Sequence, residues 1–301
     1  MTTPTPAPRS TPNAELSDWL KLRERTDAGA RSAALTALAV QALPPAATEP
    51  VQVLDLATGA GSNLRFLIPH LPPRQRWLVV DRGEDLLADL LARTAPWARS
   101  RGLDAVVADG RLSITGGGLD CVVDTRQMDL GPLADTSIFT GRHLVTASAL
   151  LDLVSAAWLE KVAECCRAEG AAALFTIVYN GRNACAPGDA DDAHVFARFN
   201  EHQARDKGLG GPAAGPGATE AARHAFAREG FTVRTEPSDW HIGPDARQMQ
   251  QYLIDGWATA ASEVAPGEAA RIAGWKQRRL EHVAAGASRV EVGHFDLLAT
   301  R

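Results

Sequence analysis

The chain has 301 residues, 45% of them hydrophobic and 22% charged, and its formal net charge is −5 at pH 7. This length and composition predict a soluble globular protein with one large domain and insertions. The acidic charge argues against a nucleic-acid partner, which would require a basic face. The longest apolar run, residues 171–179, is too short to span a bilayer, so we expect no membrane partner.

The N-terminal part of the chain divides into a tail and a helical segment. Residues 1–13 are rich in proline and lack an apolar core, which predicts a disordered tail without a signal peptide, followed by a single domain over residues 14–301. Residues 14–45 are rich in alanine and leucine and end in a proline pair, which predicts a helical segment. Within it, Arg23, Asp27 and Arg31 recur every four residues, so we expect them to share one helix face as an ion-pair ladder or to reach a ligand.

Residues 51–65 predict a buried strand that runs into a glycine turn and opens a helix. Gly59 and Gly61 let the backbone approach a ligand without a Cβ in the way. A dinucleotide-binding fingerprint requires a third glycine, and Leu64 stands at that position instead. Asp55 would repel a pyrophosphate at this turn, but it suits a ligand that carries ammonium or sulfonium charge.

A second predicted strand, residues 77–80, ends in Asp81. An acid at this point suits a ribose diol, because its two carboxylate oxygens accept hydrogen bonds from two hydroxyls. NAD and S-adenosylmethionine both contain that ribose, so Asp81 indicates a nucleoside cofactor without choosing between them. Asp55 and the missing third glycine favour S-adenosylmethionine.

The pattern Asp55-x-x-x-Gly59-x-Gly61 resembles motif I of the class I methyltransferases that use S-adenosylmethionine, and the blocks at residues 146–154 and 237–240 are similar to those of a bacterial group. The resemblance implies an α/β fold with a Rossmann-like, doubly wound, seven-stranded sheet and an antiparallel edge hairpin. It further implies a set of cofactor-binding residues in the turn, at the strand ends and in the preceding helix: Asp55, Ala57, Gly59, Gly61, Asn63, Asp81, Asp129, Ser148 and Arg31.

The remaining elements follow in chain order. A helix is predicted over residues 84–97, and Asp109-Gly110 between two alternating runs predicts a tight hairpin, so Asp109 is interpreted as a turn residue. Asp129 closes the next strand and is favoured over Asp109 as the acid that contacts adenine, with Met128 and Leu130 lining the ring. A further helix is predicted over residues 156–168. The remaining strands of the sheet are predicted over residues 143–146, 172–179, 231–235 and 289–298.

Two stretches of the chain are longer than the connections that this seven-stranded sheet requires. Residues 180–217 are polar and end in a glycine-rich run, which is typical of a lid over a substrate. Residues 244–285 predict two helices that pack on the sheet edge or help to build the pocket. His202 in the lid is the first candidate for a general base, and Asp152 after the fourth strand is the second.

The acceptor site is predicted from residues near the lid. Tyr179 ends the fifth strand, and Arg182 and Lys207 follow it, so these three residues are the candidates for binding the substrate. The cations Arg182, Arg205 and Lys207 indicate a small acceptor that carries a carboxylate or phosphate.

Two local patterns argue against other kinds of site. The four cysteines form no Cys-x-x-Cys pair and have no histidine at zinc spacing, so we predict no metal site and reduced cysteines in a cytoplasmic protein. The short basic cluster of Lys276, Arg278 and Arg279 is interpreted as a solvated helix face.

Three functions remain open at this point. A methyltransferase would transfer the methyl group in line to an oxygen, nitrogen or carbon of the acceptor, helped by orientation and exclusion of water. A nicotinamide-dependent oxidoreductase would use the same sheet and ribose acid. A non-catalytic module that binds S-adenosylmethionine would keep the motif and lack a closed acceptor pocket, and the polar lid favours the enzyme over this module.

Overall fold

The computed structural model describes residues 12–44 and 49–301. The tail predicted over residues 1–13 lies outside the described residues up to residue 11, and the first helix already begins at Pro12. The helices are α1 (Pro12–Ala30), α2 (Ala33–Gln41), α3 (Ser62–Leu67), α4 (Glu84–Arg99), α5 (Ala156–Glu169), α6 (Asp192–Gln203), α7 (Ala218–Arg228), α8 (Arg247–Val264) and α9 (Ala269–Ala284). The strands are β1 (Val51–Leu56), β2 (Arg74–Asp81), β3 (Asp104–Ala108), β4 (Arg111–Gly116), β5 (Leu119–Gln127), β6 (Leu144–Ser148), β7 (Ala172–Ala186), β8 (Thr232–Pro237), β9 (Trp240–Ile242) and β10 (Arg289–Thr300).

Seven strands form the core of the sheet, in the order β5, β2, β1, β6, β7, β10, β8. The first five of these pair in parallel, and β10 runs antiparallel between β7 and β8. Strands such as β1 are apolar runs because helices cover both faces of the parallel sheet. The predicted doubly wound sheet with an antiparallel edge hairpin is therefore confirmed.

Three further strands extend this sheet beyond the seven that the sequence predicts, and two of them form the hairpin predicted at Asp109. β3 and β4 form an antiparallel hairpin beside β5, and Asp109 and Gly110 at its tip have positive φ values of 51° and 72°. Asp109 is thus a turn residue, as the sequence predicts. β9 pairs with β10 outside the seven-strand core, so the sheet has ten strands.

The N-terminal helical segment is broken into two helices. Ser32 caps α2, where its Oγ accepts a hydrogen bond from the backbone N–H of Leu35 at 3.1 Å. Serine favours such a cap because its hydroxyl satisfies an N–H that lacks a partner within the helix. Arg31 lies directly after α1, where its N–H still donates to the Asp27 carbonyl at 3.2 Å. Its side chain donates to Asn63 and Ser148, so the ion pair that forms is the one between Arg23 and Asp27.

Apolar side chains fill both faces of the sheet and a third core beneath α6, α8 and α9. In this third core, Trp257 and Trp275 lie with Phe196 against the later part of β7 and the amino-terminal end of β10, where Val292 belongs to the same cluster. The two helices predicted within residues 244–285 are present as α8 and α9. Among the helices that the structure describes, none has the length and apolarity needed to cross a membrane.

The basic cluster of α9 connects this helix to α6 through ion pairs, and it is not simply a solvated face. Arg279 is fully buried, and its guanidinium pairs with Asp192 at the start of α6. Trp275 Nε1 donates to the same carboxylate at 2.8 Å. Arg278 Nε also reaches this segment, 2.6 Å from Asp189 Oδ2. The correction follows from the layer of helices, which buries one side of α9.

We predict that Asp192→Ala lowers the free energy of unfolding by about 3 kcal/mol, because it leaves the buried charge of Arg279 without a partner. Urea unfolding measures this change. Glu164→Ala is the control, since its 3.3 Å pair with Lys161 is exposed on α5, and it should change the free energy by less than about 0.5 kcal/mol. A loss below about 1 kcal/mol for the Asp192 variant would contradict the argument from burial.

Candidate active site

The loop after β1 takes its shape from the carboxylate of Asp55, which is fully buried. Its Oδ2 accepts a hydrogen bond from Thr58 Oγ1 at 2.6 Å, and its Oδ1 accepts one from Asn63 Nδ2 at 2.7 Å. Asn63 Nδ2 also lies 3.1 Å from Thr146 Oγ1 on β6. Burial raises the pKa of Asp55 to about 6, and these hydrogen bonds oppose the rise. Asp55 therefore organises the loop, as the sequence suggests.

Arg31 supports the same loop from behind. Its Nη1 donates to Asn63 Oδ1 at 2.6 Å, its Nη2 donates to Ser148 Oγ at 3.1 Å, and its guanidinium carbon lies 4.4 Å from the ring centroid of Phe66. The side chain of Arg31 is buried among these partners and is not part of the cavity lining described below, although Ser148 is, so its contact with the cofactor stays a prediction.

Asp81 at the end of β2 is held by the backbone of two glycines. Gly59 N–H donates to Asp81 Oδ2 at 2.8 Å, and Gly83 N–H donates to Asp81 Oδ1 at 2.9 Å. Each carboxylate oxygen keeps a lone pair for a further hydrogen bond. Gly59 has a φ of 53°, a conformation that most L-residues avoid. The glycine turn and the acid of the second strand are thus fixed to each other.

A cavity of about 400 Å³ lies at the carboxyl ends of β1, β2, β5 and β6, where the strand order reverses. We call it the first cavity. Several predicted cofactor residues line it, namely Ala57, Gly59, Asp81, Asp129 and Ser148. The other four, Asp55, Gly61, Asn63 and Arg31, lie behind the lining and hold the loop in place.

Asp129 stands just beyond β5 and faces the first cavity. Its Oδ1 accepts a hydrogen bond from Gly131 N–H at 2.9 Å, and Met128 and Leu130 line the cavity beside it. Asp109 is exposed at the tip of the hairpin and does not belong to this lining. The geometry therefore favours Asp129 over Asp109 as the acid available to an adenine ring.

Helix α1 covers the first cavity with Leu16, Leu20 and Arg23. Arg23 Nε pairs with Asp27 Oδ2 at 2.8 Å, one helical turn away. Of the two arginines considered from the sequence, it is Arg23 that brings a cation to the cavity.

A second cavity, of about 390 Å³, adjoins the first and shares Arg23, Ala149 and Leu153 with it. We call it the aromatic chamber. Its lining contains rings from α1, β7, α6, β9, α8 and β10, namely Trp19, Tyr179, Phe199, Trp240, Tyr252, Trp257 and His294. The insertion that contains α8 therefore builds a pocket as well as packing on the sheet.

Asp152 is the acid that the described lining of the aromatic chamber contains. It lies in a short 3₁₀ turn, Leu151–Leu153, directly after β6. Burial raises the pKa of Asp152 to about 6, although Arg23 and Lys207 are close enough to oppose the rise. A carboxyl with this pKa is largely ionised at neutral pH and can accept a proton there.

His202 also lines the aromatic chamber, but both of its ring nitrogens have partners. Its Nε2 lies 3.0 Å from Glu263 Oε2, and its Nδ1 lies 3.2 Å from Lys207 Nζ. Lys207 Nζ donates to the backbone carbonyl of His202 as well, at 3.0 Å, and lines the first cavity. Because an ammonium only donates, Nδ1 is an acceptor here. His202 and Lys207 thus fasten α6 and the loop after it over the two cavities.

The three residues predicted to bind the substrate lie in different places in the structure. Tyr179 lines the aromatic chamber, and its hydroxyl donates to Asn200 Oδ1 at 2.7 Å. Arg182 lines neither cavity, because β7 continues to Ala186 and carries it to the surface, where it pairs with Asp239. The predicted role of Arg182 in binding substrate is therefore corrected. Lys207 reaches the first cavity and not the chamber.

Sequence reasoning assigned no role to Trp240 or His294, although both line the aromatic chamber. His294 and Asp296 are polar residues at buried positions of β10, a strand that is otherwise apolar inside. That interruption of the strand pattern is a signal which could have marked His294. Trp240 lies in the block at residues 237–240, and no pattern in that block indicates which side chains surround the ring.

No family model matches the chain, and a search of curated proteins finds no match either. Several solved structures are similar to it. A cyclopropane-fatty-acyl-phospholipid synthase-like protein from Lactobacillus casei has 14% identity and a TM-score of 0.49, with 96% of this chain and 94% of that chain covered. A putative sarcosine dimethylglycine methyltransferase from Galdieria sulphuraria has 13% identity and a TM-score of 0.40, with coverage of 95% and 86%.

A cyclopropane synthase from Mycobacterium tuberculosis has 12% identity and a TM-score of 0.41, with 89% of this chain and 83% of that chain covered. These likenesses are remote, so the fold is assigned from the strand order of the chain itself. The chain has the class I methyltransferase fold. The first cavity and the aromatic chamber both open at the carboxyl ends of its parallel strands, where ligands bind in sheets of this type.

We predict that Gly61→Ala destabilises the protein more than Gly102→Ala does. The two glycines have similar φ values, 81° and 76°, so both variants incur a backbone cost of about 1 kcal/mol. A Cβ at Gly61 would lie 2.6 Å from Leu90 Cγ, whereas nothing lies within 4 Å of one at Gly102. The crowding should add about 1–3 kcal/mol in urea unfolding. Equal losses would show that Leu90 moves aside at no cost.

Proposed function

We propose that the protein is an S-adenosylmethionine-dependent methyltransferase that acts on a small molecule. The observation that carries this proposal is the meeting of two cavities at Ala149, one bordered by Asp81 and Asp129 and the other by Asp152. A donor in the first cavity and an acceptor in the aromatic chamber would then lie next to each other. Cavities of about 400 Å³ each are of the size that small ligands occupy.

The residues of the first cavity fit the cofactor. Asp81 has a free lone pair on each carboxylate oxygen for the two ribose hydroxyls, and Asp129 is an acceptor for the adenine amine between Met128 and Leu130. Arg23 is the cation available to the carboxylate of the methionine part. When bound, S-adenosylmethionine supplies a methyl group that its sulfonium charge has already activated.

The two alternative functions fit the site less well. A nicotinamide cofactor would place its pyrophosphate at the start of α3, where Leu64 occupies the position of the third glycine and is completely buried. A non-catalytic module would have no use for a second cavity with a buried acid, and this chain has one next to the first.

Within this proposal, the residues of the chain position the acceptor and supply a group that takes up its proton. Asp152 is the base that takes a proton from the acceptor, because it is ionised near neutral pH and faces the chamber. His202 keeps α6 in place, and the rings of the chamber exclude water around the acceptor. The expectation that the acceptor is an anion loses most of its support, since Arg182 and Arg205 line neither cavity and Lys207 lines the first cavity and not the chamber.

We expect S-adenosylhomocysteine to bind in calorimetric titration and NADH not to bind. Asp81→Asn and Asp129→Asn should each weaken this binding by roughly 10-fold to 100-fold, because each removes a charged hydrogen-bond acceptor. Asp109→Asn is the matched control, since its carboxylate lies at the hairpin tip, and it should bind as tightly as the wild type. Unchanged binding in both site variants would place the nucleoside elsewhere.

Asp152 should titrate near pH 6 in the folded protein. Carbon-13 NMR of protein labelled at aspartate carboxyls would follow this, with the signal assigned by its absence from Asp152→Asn. Because the carboxylate is the base, the second-order rate for the acceptor should fall about 10-fold per pH unit below pH 6 and level off above it. A pKa near 4 for the Asp152 carboxyl, or a second-order rate for the acceptor that stays constant down to pH 4, would contradict this role for Asp152.

A further inference from the structure

The aromatic chamber is built to hold a flat apolar body. Trp19 and Tyr252 stack with their ring centroids 4.3 Å apart. Trp19 and Trp240 pack edge to face with their ring centroids 6.1 Å apart. Tyr179 and Phe199 form a second edge-to-face pair at 5.6 Å. Ring walls of this kind favour a planar aromatic ligand, because offset and edge-to-face contacts stabilise it beyond the burial of its surface.

Two buried polar atoms of the chamber wall lack a partner. Among the residues that the structure describes, none hydrogen-bonds to Trp240 Nε1, a donor, or to His294 Nδ1, although the two ring centroids lie 4.6 Å apart and both residues are more than nine-tenths buried. Burial, together with the nearby charge of Arg23, lowers the pKa of His294 to about 3, so its ring is neutral and Nδ1 is available as an acceptor. Buried polar atoms are normally hydrogen-bonded, so a ligand group that both accepts and donates would satisfy this pair.

The charges around the chamber argue against an ionised ligand. Arg23 is paired with Asp27 and also faces the first cavity, and His202 is engaged on both ring nitrogens. A cationic ligand would meet Arg23 in the chamber wall, and Lys207 in the first cavity is also close enough to act on Asp152. These cations instead favour negative charge that develops on an oxygen next to Asp152.

We propose that the aromatic chamber binds an uncharged hydroxylated aromatic compound, which is methylated on the hydroxyl that faces Asp152 and is recognised at a second hydroxyl or amide group by Trp240 Nε1 and His294 Nδ1. This assignment rests on the proposed function. In the reaction the hydroxyl proton passes to Asp152, an O–CH₃ bond forms as the S–CH₃ bond of the donor breaks, and S-adenosylhomocysteine leaves. The product is a methyl ether, and the proton on Asp152 returns to water.

The test compares four probes of one shape: naphthol, dihydroxynaphthalene, naphthoate and naphthylmethylammonium. Their affinities are measured by calorimetry with and without saturating S-adenosylhomocysteine. We expect dihydroxynaphthalene to bind about 10-fold more tightly than naphthol, because it gains the hydrogen bonds of the Trp240 and His294 pair. The two ionised probes should bind at least 10-fold more weakly than naphthol.

Substitutions of the pair separate recognition from folding. His294→Phe and Trp240→Phe should each reduce the affinity for dihydroxynaphthalene more than the affinity for naphthol, and so abolish the preference between the two probes. His294→Asn places an amide oxygen near the position of Nδ1 and should restore part of the preference. His241→Gln is the matched control, since His241 lies next to Trp240 on β9 and is not part of the chamber lining, and it should change nothing.

The outcomes are distinct. Tightest binding by naphthoate or naphthylmethylammonium, binding of none of the four probes, or an unchanged preference in both Phe variants would overturn the assignment. Failure of S-adenosylhomocysteine to bind would overturn the proposed function instead. A hydroxyl preference that the Phe variants abolish would still support the assignment of the chamber in that case, because the probes are also measured without the nucleoside.

Discussion

The buried carboxylate of Asp55 is the constraint on which the site depends. A carboxylate with no exposure to water must accept hydrogen bonds or lose several kcal/mol. Thr58 and Asn63 satisfy it, and Asn63 in turn joins Thr146 on β6 and Arg31 before α2. One charge within β1 therefore fixes the glycine turn, the end of a neighbouring strand and the entry of the N-terminal helices. The lining of the first cavity follows from that arrangement.

Helix α1 connects the two cavities because of its periodicity. Leu16, Leu20 and Arg23 follow one another at intervals of four and three residues and face the first cavity, while Trp19, one turn before Arg23, faces the aromatic chamber. Arg23 lies on the boundary and belongs to both linings. A movement of this single helix would therefore open or close both sites together, which suits a reaction that must bring two ligands into contact and exclude water.

Strained backbone is concentrated where the two cavities meet the sheet. Ala57 after β1, Ala149 after β6 and Ile177 within β7 have φ values of 50°, 52° and 55°, and all three line a cavity. Such a conformation is unusual for any residue with a Cβ and most of all for isoleucine. Asp296 holds Ile177 there by accepting its N–H at 2.9 Å.

The sequence by itself determined the features that arise from neighbouring residues. The apolar run before Asp55, the glycines, Asp81 after the second strand, Asp129 after β5 and the hairpin at Asp109 are set by short-range patterns, and the structure has each of them in place. Only the tertiary structure decided what depends on distant segments. Arg31 is buried against Asn63 and Ser148, and Arg279 is buried against Asp192, and in each case the partners lie far away along the chain. The rings of the aromatic chamber come from six elements spread between residues 19 and 294, so no local pattern could define it.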